Sequence, residues 1–418
     1  MATYLEKLAL FPKLIEAPPD KDLNIIVVIP CYDEPDLMAS LNSLFECVLP
    51  SCQVEVIVVV NDSEIENEET KLRNQKTFDT ANDWKKQYNS KWISFHFLYK
   101  NNLPKKIAGV GTARKIGMDE AVRRFESIGN SKGIICCFDA DSLCEPNYFQ
   151  AVHDYFLKNE KAKACGIYFE HPLEGDEFSP EIYDAIIDYE LHLRYYVHAQ
   201  RWAGFPFAFQ TIGSSMAVRC DAYQQQGGMN KRKAGEDFYF IHKFIPLGNF
   251  ADITDTKVIP SPRQSHRVPF GTGRAVNEIL DSSDTYLTYH PQIFDDLRPW
   301  SLAIDSLFSM KKEDVYQLLE KIPKSISSFL LKNDFPTKLL EIQSNTTNPT
   351  TFVQRYYRWF NAFLMMKYVH FARDNFYPNI PVEKAAKWLL EKKMGKNFSE
   401  KNKKEMLEEF RRWDKSNS

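Results

Sequence analysis

Long apolar runs are missing from this chain. No segment of its 418 residues approaches the ~18 consecutive apolar positions that a membrane-spanning helix needs. The nearest candidate, Trp359 to Met366, is far too short, so no transmembrane span is expected, although contact with a membrane surface stays open. The opening MATYLEKLALFPKL has no extended apolar stretch followed by a small-residue cleavage site. A cytoplasmic location is the expectation, and the cysteines agree with it. There are eight (Cys31, Cys47, Cys52, Cys136, Cys137, Cys144, Cys165 and Cys220), none in a paired CxxC arrangement, and several lie in apolar runs. Excess positive charge is absent too. A net charge of -3 and a pI near 6.3 exclude a protein that grips nucleic acid through bulk basicity.

A further absence concerns glycine. A dinucleotide-binding unit carries a glycine-rich turn directly after its first strand, but here that place holds Pro30 and Tyr32. Gly109-Val110-Gly111 only imitates the motif, because Arg114 stands where a third glycine belongs.

What is present is ordinary globular composition, 44% hydrophobic and 26% charged, over a length suited to two or three domains. From Asn24 to about Phe169, short β-branched runs alternate with amphipathic stretches. Strands are expected over Ile25–Ile29, Val54–Val60, Ile93–Tyr99, Gly133–Phe138 and Cys165–Phe169, with turn residues Asn61, Asp62 and Ser63 ending the second. Helices are expected over Pro35–Cys47, Glu68–Tyr88 and Thr112–Phe125. Such alternation implies crossover units and a mostly parallel sheet flanked by helices, an α/β fold. Past Pro180 come an aromatic helix, Glu181–Trp202, a short strand at Ser215–Val218, and a loop marked by Pro260, Pro262, Gly271 and Gly273. After Val276 only helices are expected: Ser301–Lys321, Phe352–Asp374, Val382–Lys393 and Ser399–Trp413. The division follows: an arm over 1–22, an α/β domain over 23–275 in two halves (23–170 and 171–275), and a helical domain over 276–418.

Ligands of an open parallel sheet bind beyond the carboxyl ends of its strands. After the first strand come Pro30-Cys31-Tyr32-Asp33-Glu34, after the second Asn61-Asp62-Ser63, and after the fourth Asp139-Ala140-Asp141. A rim so rich in carboxylates wants a cation. Asp139 and Asp141, at i and i+2 past a strand, can address one hard divalent ion that bridges diphosphate oxygens; alone, such a tripeptide is also a common polar turn. Downstream, Gly213-Ser214-Ser215, Gly227-Gly228 and Gly235-Glu236-Asp237 form a second group. Glu236 and Asp237 open a helix, where acids suit the dipole. A carboxylate there also suits a general base, since a sugar hydroxyl is a poor nucleophile until its proton is taken.

Taken together these motifs resemble glycosyltransferase family 2, inverting nucleotide-sugar transferases of the GT-A fold. Val28-Ile29-Pro30-Cys31-Tyr32-Asp33-Glu34 is similar to that family's IP-x-YNE opening, Val58–Ser63 to its VVDDGS segment, Ala113-Arg114-Lys115-Ile116-Gly117 to its ARN-x-G helix start, and Asp139-Ala140-Asp141 to its DxD. Gly213-Ser214-Ser215, Gly227-Gly228 and Glu236-Asp237 are similar to its acceptor block. The resemblance implies a nucleotide-sugar site made by Pro30, Tyr32, Glu34, Asn61, Asp62, Arg114 and Asp139. It also implies metal ligation by Asp141 with Asp139, a general base at Asp237 beside Glu236, and an acceptor side at Gly213 and Ser214. Two positions depart from the pattern: Asn61 stands for an aspartate and Lys115 for an asparagine.

The loop Ser261–Gly273 is dense in cations and glycine. Arg263 and Arg267 are expected on the diphosphate and His266 as a further metal ligand, the alternative being a plain basic surface loop. Tyr189, His192, Tyr195, Tyr196, His198 and Trp202 give the helix after Pro180 an aromatic face, which reads as core, or as an acceptor cleft with Trp202 in it. Phe352, Tyr356, Phe360 and Phe363 read as core or a partner interface. The expected cofactor is Mn2+ or Mg2+. The expected partners are a UDP- or GDP-sugar donor and a glycan, lipid-linked or small-molecule acceptor, with no nucleic acid. A sugar nucleotidyltransferase and an inactive binding protein of the same fold are the alternatives.

Overall fold

Every side chain from Ile25 to Ile29 is buried. A strand whose residues alternate sides can do this only if both faces of its sheet are covered. That strand, β1 (Leu23–Cys31), follows a short helix α1 (Tyr4–Leu8). It pairs in parallel with β2 (Gln53–Ser63) and β4 (Ile134–Cys137), and β3 (Ile93–Leu103) adds in parallel outside β2. The crossovers are α2 (Leu37–Phe45), α3 (Glu68–Gln87) and α4 (Val110–Ser127). Then come β5 (Ser142–Cys144), α5 (Tyr148–Lys158), β6 (Ala164–Phe169), α6 (Pro180–Trp202), β7 (Met216–Arg219), α7 (Cys220–Gln225), α8 (Glu236–Ile241), β8 (Asp252–Pro260) and α9 (Thr272–Asp281). The eight strands form one sheet in the order β3-β2-β1-β4-β7-β6-β8-β5, with β7 antiparallel to both neighbours and β5 antiparallel to β8. This computed structural model describes residues 3–88, 90–265, 267, 271–282, 284–395, 397–398 and 400–416.

Packing divides the chain into two units. One holds Met1–Tyr183, Thr211–Asn277 and Asp414–Ser418; the other holds Asp184–Gln210 and Glu278–Trp413. The whole sheet belongs to the first. Its α4 lies against β1 closely enough that a Cβ on Gly117 would come 2.5 Å from Val28 Cγ1. A strap formed by residues 3–17 crosses the outside of α4. Tyr4 donates its hydroxyl to Asp119 at 2.7 Å and accepts from Lys115 at 3.0 Å. The backbone N–H groups of Leu14 and Ile15 donate to Glu120, and Arg123 and Arg124 reach back to the carbonyls of Phe11 and Ala17.

The second unit is helical apart from a two-residue antiparallel pairing of β9 (Leu287–Thr288) with β10 (Ile380–Pro381). Its other elements include most of α6, together with α10 (Gln292–Ala303), α11 (Lys312–Lys321), α12 (Lys324–Lys332), α13 (Phe335–Ser344), α14 (Pro349–Trp359), α15 (Ala362–Asn375), α16 (Val382–Met394) and most of α17 (Lys403–Ser416). Trp300 is fully buried, donates to the Tyr356 hydroxyl at 2.8 Å and packs edge-on to Phe335. Phe352, Tyr356 and Phe360 are core residues. Among the described residues no helix is long and apolar enough to cross a membrane.

The differences from the expected elements have local causes. β2 continues through Asn61, Asp62 and Ser63, because β3 pairs alongside it as far as Leu103. β8 is not expected from the sequence; only Ile253, Thr256, Val258 and Pro260 of its nine residues are buried, and polar Asp252, Thr254, Asp255 and Lys257 lie among them. The helix expected over Phe352–Asp374 is two, α14 and α15, with Asn361 capping the second by accepting from Phe363 and Leu364 N–H. The segment Ser301–Lys321 likewise breaks, at Met310.

Candidate active site

The expected residues meet at the carboxyl ends of β1, β2 and β4, all within the first unit. Just past β1, Asp33 has φ +49° and its carboxylate is held bidentately by Arg73 at 2.6 and 2.9 Å, which depresses its pKa. Tyr32 donates to Glu66 at 2.7 Å. Glu34 is buried and faces inward, where it meets Arg263 and, at 2.7 Å, Arg267. Arg263 also pairs with Asp36 at 2.8 Å and Asp141 at 3.2 Å, and Arg267 donates to the Tyr32 carbonyl at 3.0 Å. Tyr32, Asp33, Arg263, Gln264, Ser265 and Arg267 line an open cleft of about 460 Å³. A hollow of about 800 Å³ over Gln53, Ile93 and Arg124 lies at the opposite ends of β2 and β3 and contains none of the expected site residues.

Asp141 lies beyond β4 with its side chain a quarter exposed. Loss of surrounding water, then Glu34 and Asp139, push its pKa up to about 6 against the relief given by Arg263 and Arg267. Asn61 and Asp62 are buried at the end of β2. Both Asp62 oxygens already accept, one from the Tyr99 hydroxyl at 2.6 Å and one from Asn102 N–H at 2.9 Å.

Arg114 joins the two motif groups. Fully buried in the first turns of α4, it donates from Nη2 to Asp139 at 2.6 Å and from Nε to Glu236 at 3.1 Å. Burial alone would weaken its charge, but Asp139 and Glu236 outweigh it and hold the guanidinium more firmly protonated. Its buried Nη1 has no hydrogen-bond partner among the described residues. Gly213 is the residue that makes room, since a Cβ there would stand 2.5 Å from Arg114 Nη2 and 3.4 Å from Asp237 Oδ2. Ser214 is buried against Ser215, hydroxyl to hydroxyl at 3.4 Å.

With Glu236 committed to Arg114, Asp237 differs from it. Its only hydrogen bond among the described residues is from the adjacent Phe238 N–H at 2.7 Å. Burial, then the Glu236 charge, raise its pKa to about 7. A carboxylate at that value can both accept and release a proton near neutrality.

Among the described residues no three His, Cys, Asp or Glu side chains are placed to hold one metal ion. His266 lies outside the described residues. Asp139 and Asp141 still suit a hard divalent ion chemically, because Mg2+-like ions commonly take one or two carboxylates and complete their shell with substrate phosphates and water. Trp202 belongs to the second unit, where it packs against Arg298 and Trp388. Unnoticed in the sequence were Asp36, Arg73 and Tyr99. Tyr99 ends the expected third strand on the same rim, so the rule that found Asp62 and Asp139 could have found it.

Residues 26–225 match the family model described as Glycosyl transferase family 2. The chain carries a family 2 glycosyltransferase domain over that span, and its sheet and helical C-terminal region agree with the GT-A fold. Similar solved structures include S. aureus TarS 1–349 in complex with UDP-GlcNAc, 11% identical, covering 81% of this chain and 92% of that one with a TM-score of 0.40. The same protein in complex with UDP is 12% identical over 71% and 78%, TM-score 0.36. Longer TarS is 13% identical over 84% and 55%, TM-score 0.37. No curated protein matches the chain.

Proposed function

We propose that this chain is an inverting glycosyltransferase that moves a sugar from a nucleoside-diphosphate donor to an acceptor hydroxyl, with Asp237 as general base. The carrying observation is the unequal fate of the Glu236–Asp237 pair. Glu236 is paired with Arg114, while Asp237 has, among the described residues, a single backbone donor and a pKa raised to about 7. Asp237 takes the acceptor proton, the freed oxygen forms a bond to the anomeric carbon, and the bond from that carbon to the diphosphate oxygen breaks. Attack opposite the departing group inverts the centre.

Arg263 and Arg267 supply counter-charge beside the cleft bounded by Tyr32 and Asp33, where we place the nucleotide. Pro30, Glu34, Asn61 and Asp62 build its walls, Asp62 indirectly by fixing Tyr99 and Asn102. Arg114 positions Asp139 and Glu236. Asp139 and Asp141 would hold a divalent ion, which when bound offsets charge on the departing diphosphate. Gly213 and Ser214 lie on the acceptor side.

The test is incubation of the full chain with UDP- and GDP-sugars, with MgCl2, MnCl2 or EDTA. Release of nucleoside diphosphate from one donor is expected, lost in EDTA. Absence of turnover and of binding for every donor overturns the assignment. Full activity in EDTA removes the metal alone.

A further inference from the structure

The segment Asn230-Lys231-Arg232-Lys233-Ala234-Gly235 leads directly into Glu236 and Asp237. It is pinned onto the start of α4. The Arg232 carbonyl accepts from Gly111 N–H at 3.2 Å, the Asn230 side chain donates to the Glu236 carbonyl at 3.1 Å, and Arg232 N–H donates to Asn230 Oδ1 at 3.2 Å. The approach is so close that a Cβ on Gly111 would lie 2.3 Å from the Arg232 oxygen, and one on Gly109 would lie 3.2 Å from Lys233 Cα. Backbone held this way leaves the three cationic side chains pointing outward, and all three residues are exposed.

Just before Gly109, Pro104-Lys105-Lys106 forms a turn closed by Ile107 and Ala108 N–H on the Pro104 carbonyl, and both lysines are exposed. Five cations therefore border the start of α4, three of them in the loop that runs directly into Asp237. Lys105, Lys106, Lys231, Arg232 and Lys233 take part in none of the ion pairs found among the described residues; Arg232 instead lies over the Tyr239 ring at 3.5 Å. In a chain of net charge -3, five exposed cations close together make a local positive potential that attracts anions. Arg263 and Arg267 line the cleft beside Tyr32 and Asp33, whereas Lys231, Arg232 and Lys233 lie in the loop that runs into Asp237.

We infer that this basic rim receives a negatively charged acceptor: a glycan bearing carboxylate or phosphate groups near the hydroxyl that Asp237 addresses. The inference rests on the proposed glycosyl transfer for its word acceptor, but its test is one of binding alone. The probes are fluorescent decagalacturonate, its fully methyl-esterified neutral form, and a phosphorylated mannan oligosaccharide, measured by anisotropy on the full chain. At least one anionic probe should bind about tenfold or more tightly than the ester and weaken steeply between low and high salt. The Lys231→Gln/Arg232→Gln/Lys233→Gln variant should lose that difference, and Lys105→Gln/Lys106→Gln, on a separate loop, should lose part of it. Lys231→Arg/Lys233→Arg should keep it, with an unchanged melting temperature confirming that charge was removed and not fold. Equal binding of ester and acids overturns the inference, as does a triple variant that binds like the parent. Displacement of the bound glycan by UDP with MgCl2 would reassign the rim to the donor diphosphate and also overturn it. Each of these failures leaves the donor-turnover result standing.

Discussion

At the scale of single residues, the site's asymmetry lies in how Arg114 distributes its hydrogen bonds. It takes Asp139 and Glu236 and leaves Asp237. Asp237→Asn preserves size and the bond from Phe238 N–H while removing the proton acceptor, so donor affinity should persist and the maximal rate should fall by about 10²–10⁴-fold. The pH dependence has a definite sign. A base works deprotonated, and its pKa is raised to about 7, so the parent's rate should climb through neutrality and level off above it. That acid limb should be absent from the residual activity of the asparagine variant. A limb unchanged in Asp237→Asn would assign it to another group, and a fully active variant would leave Glu236–Asp237 as a helix start only.

At the scale of elements, α4 is positioned by two glycines that have helical conformation, so the reason for glycine at each is space and not backbone freedom. Gly117 admits β1, and Gly111 admits the 230–235 loop. Gly→Ala in an open helix stabilises by about 1 kcal/mol. Gly111→Ala should instead destabilise by about 1–3 kcal/mol, because backbone oxygens of Arg232 and Asn230 must retreat. A raised melting temperature would contradict that packing.

The same elements show what a sequence makes legible. β1, β2 and β4 were readable because strands covered on both faces are continuous apolar runs. β5 is three residues long, β8 mixes polar and apolar residues with no regular period, and α5 was overlooked although Phe149, Val152 and Phe156 carry its apolar face. Asp139, Asp141, Glu236 and Asp237 were readable as local motifs. Their connection was not, since the bonds of Arg114 to Glu236 and of Arg263 to Glu34 span 122 and 229 positions. Asp62 was expected in a turn as a nucleotide contact, and only strand pairing with β3 reveals that both its carboxylate oxygens accept from Tyr99 and Asn102. Lys115, noted as a departure, acquires a role through its partners Asp119 and Tyr4.

At the scale of the whole molecule, the strap over α4 ties residues that are far apart along the chain. Its bonds from Tyr4, Leu14 and Ile15 to Asp119 and Glu120 cross 115, 106 and 105 positions. Bringing such ends together costs on the order of 4 kcal/mol of chain entropy, and the strap's own helix is only five residues long. The strap can therefore close only on an α4 that already exists. In kinetic terms it is a latch set after the fold, so Tyr4→Phe should accelerate unfolding while leaving the folding rate nearly unchanged; a slowed folding rate would place the strap in the nucleus instead. The same timing applies during synthesis. Residues 3–17 are made roughly a hundred positions before the helix that covers them, and until α4 emerges Phe11 and Ile15 stay open to solvent and to any chaperone that binds extended apolar chain.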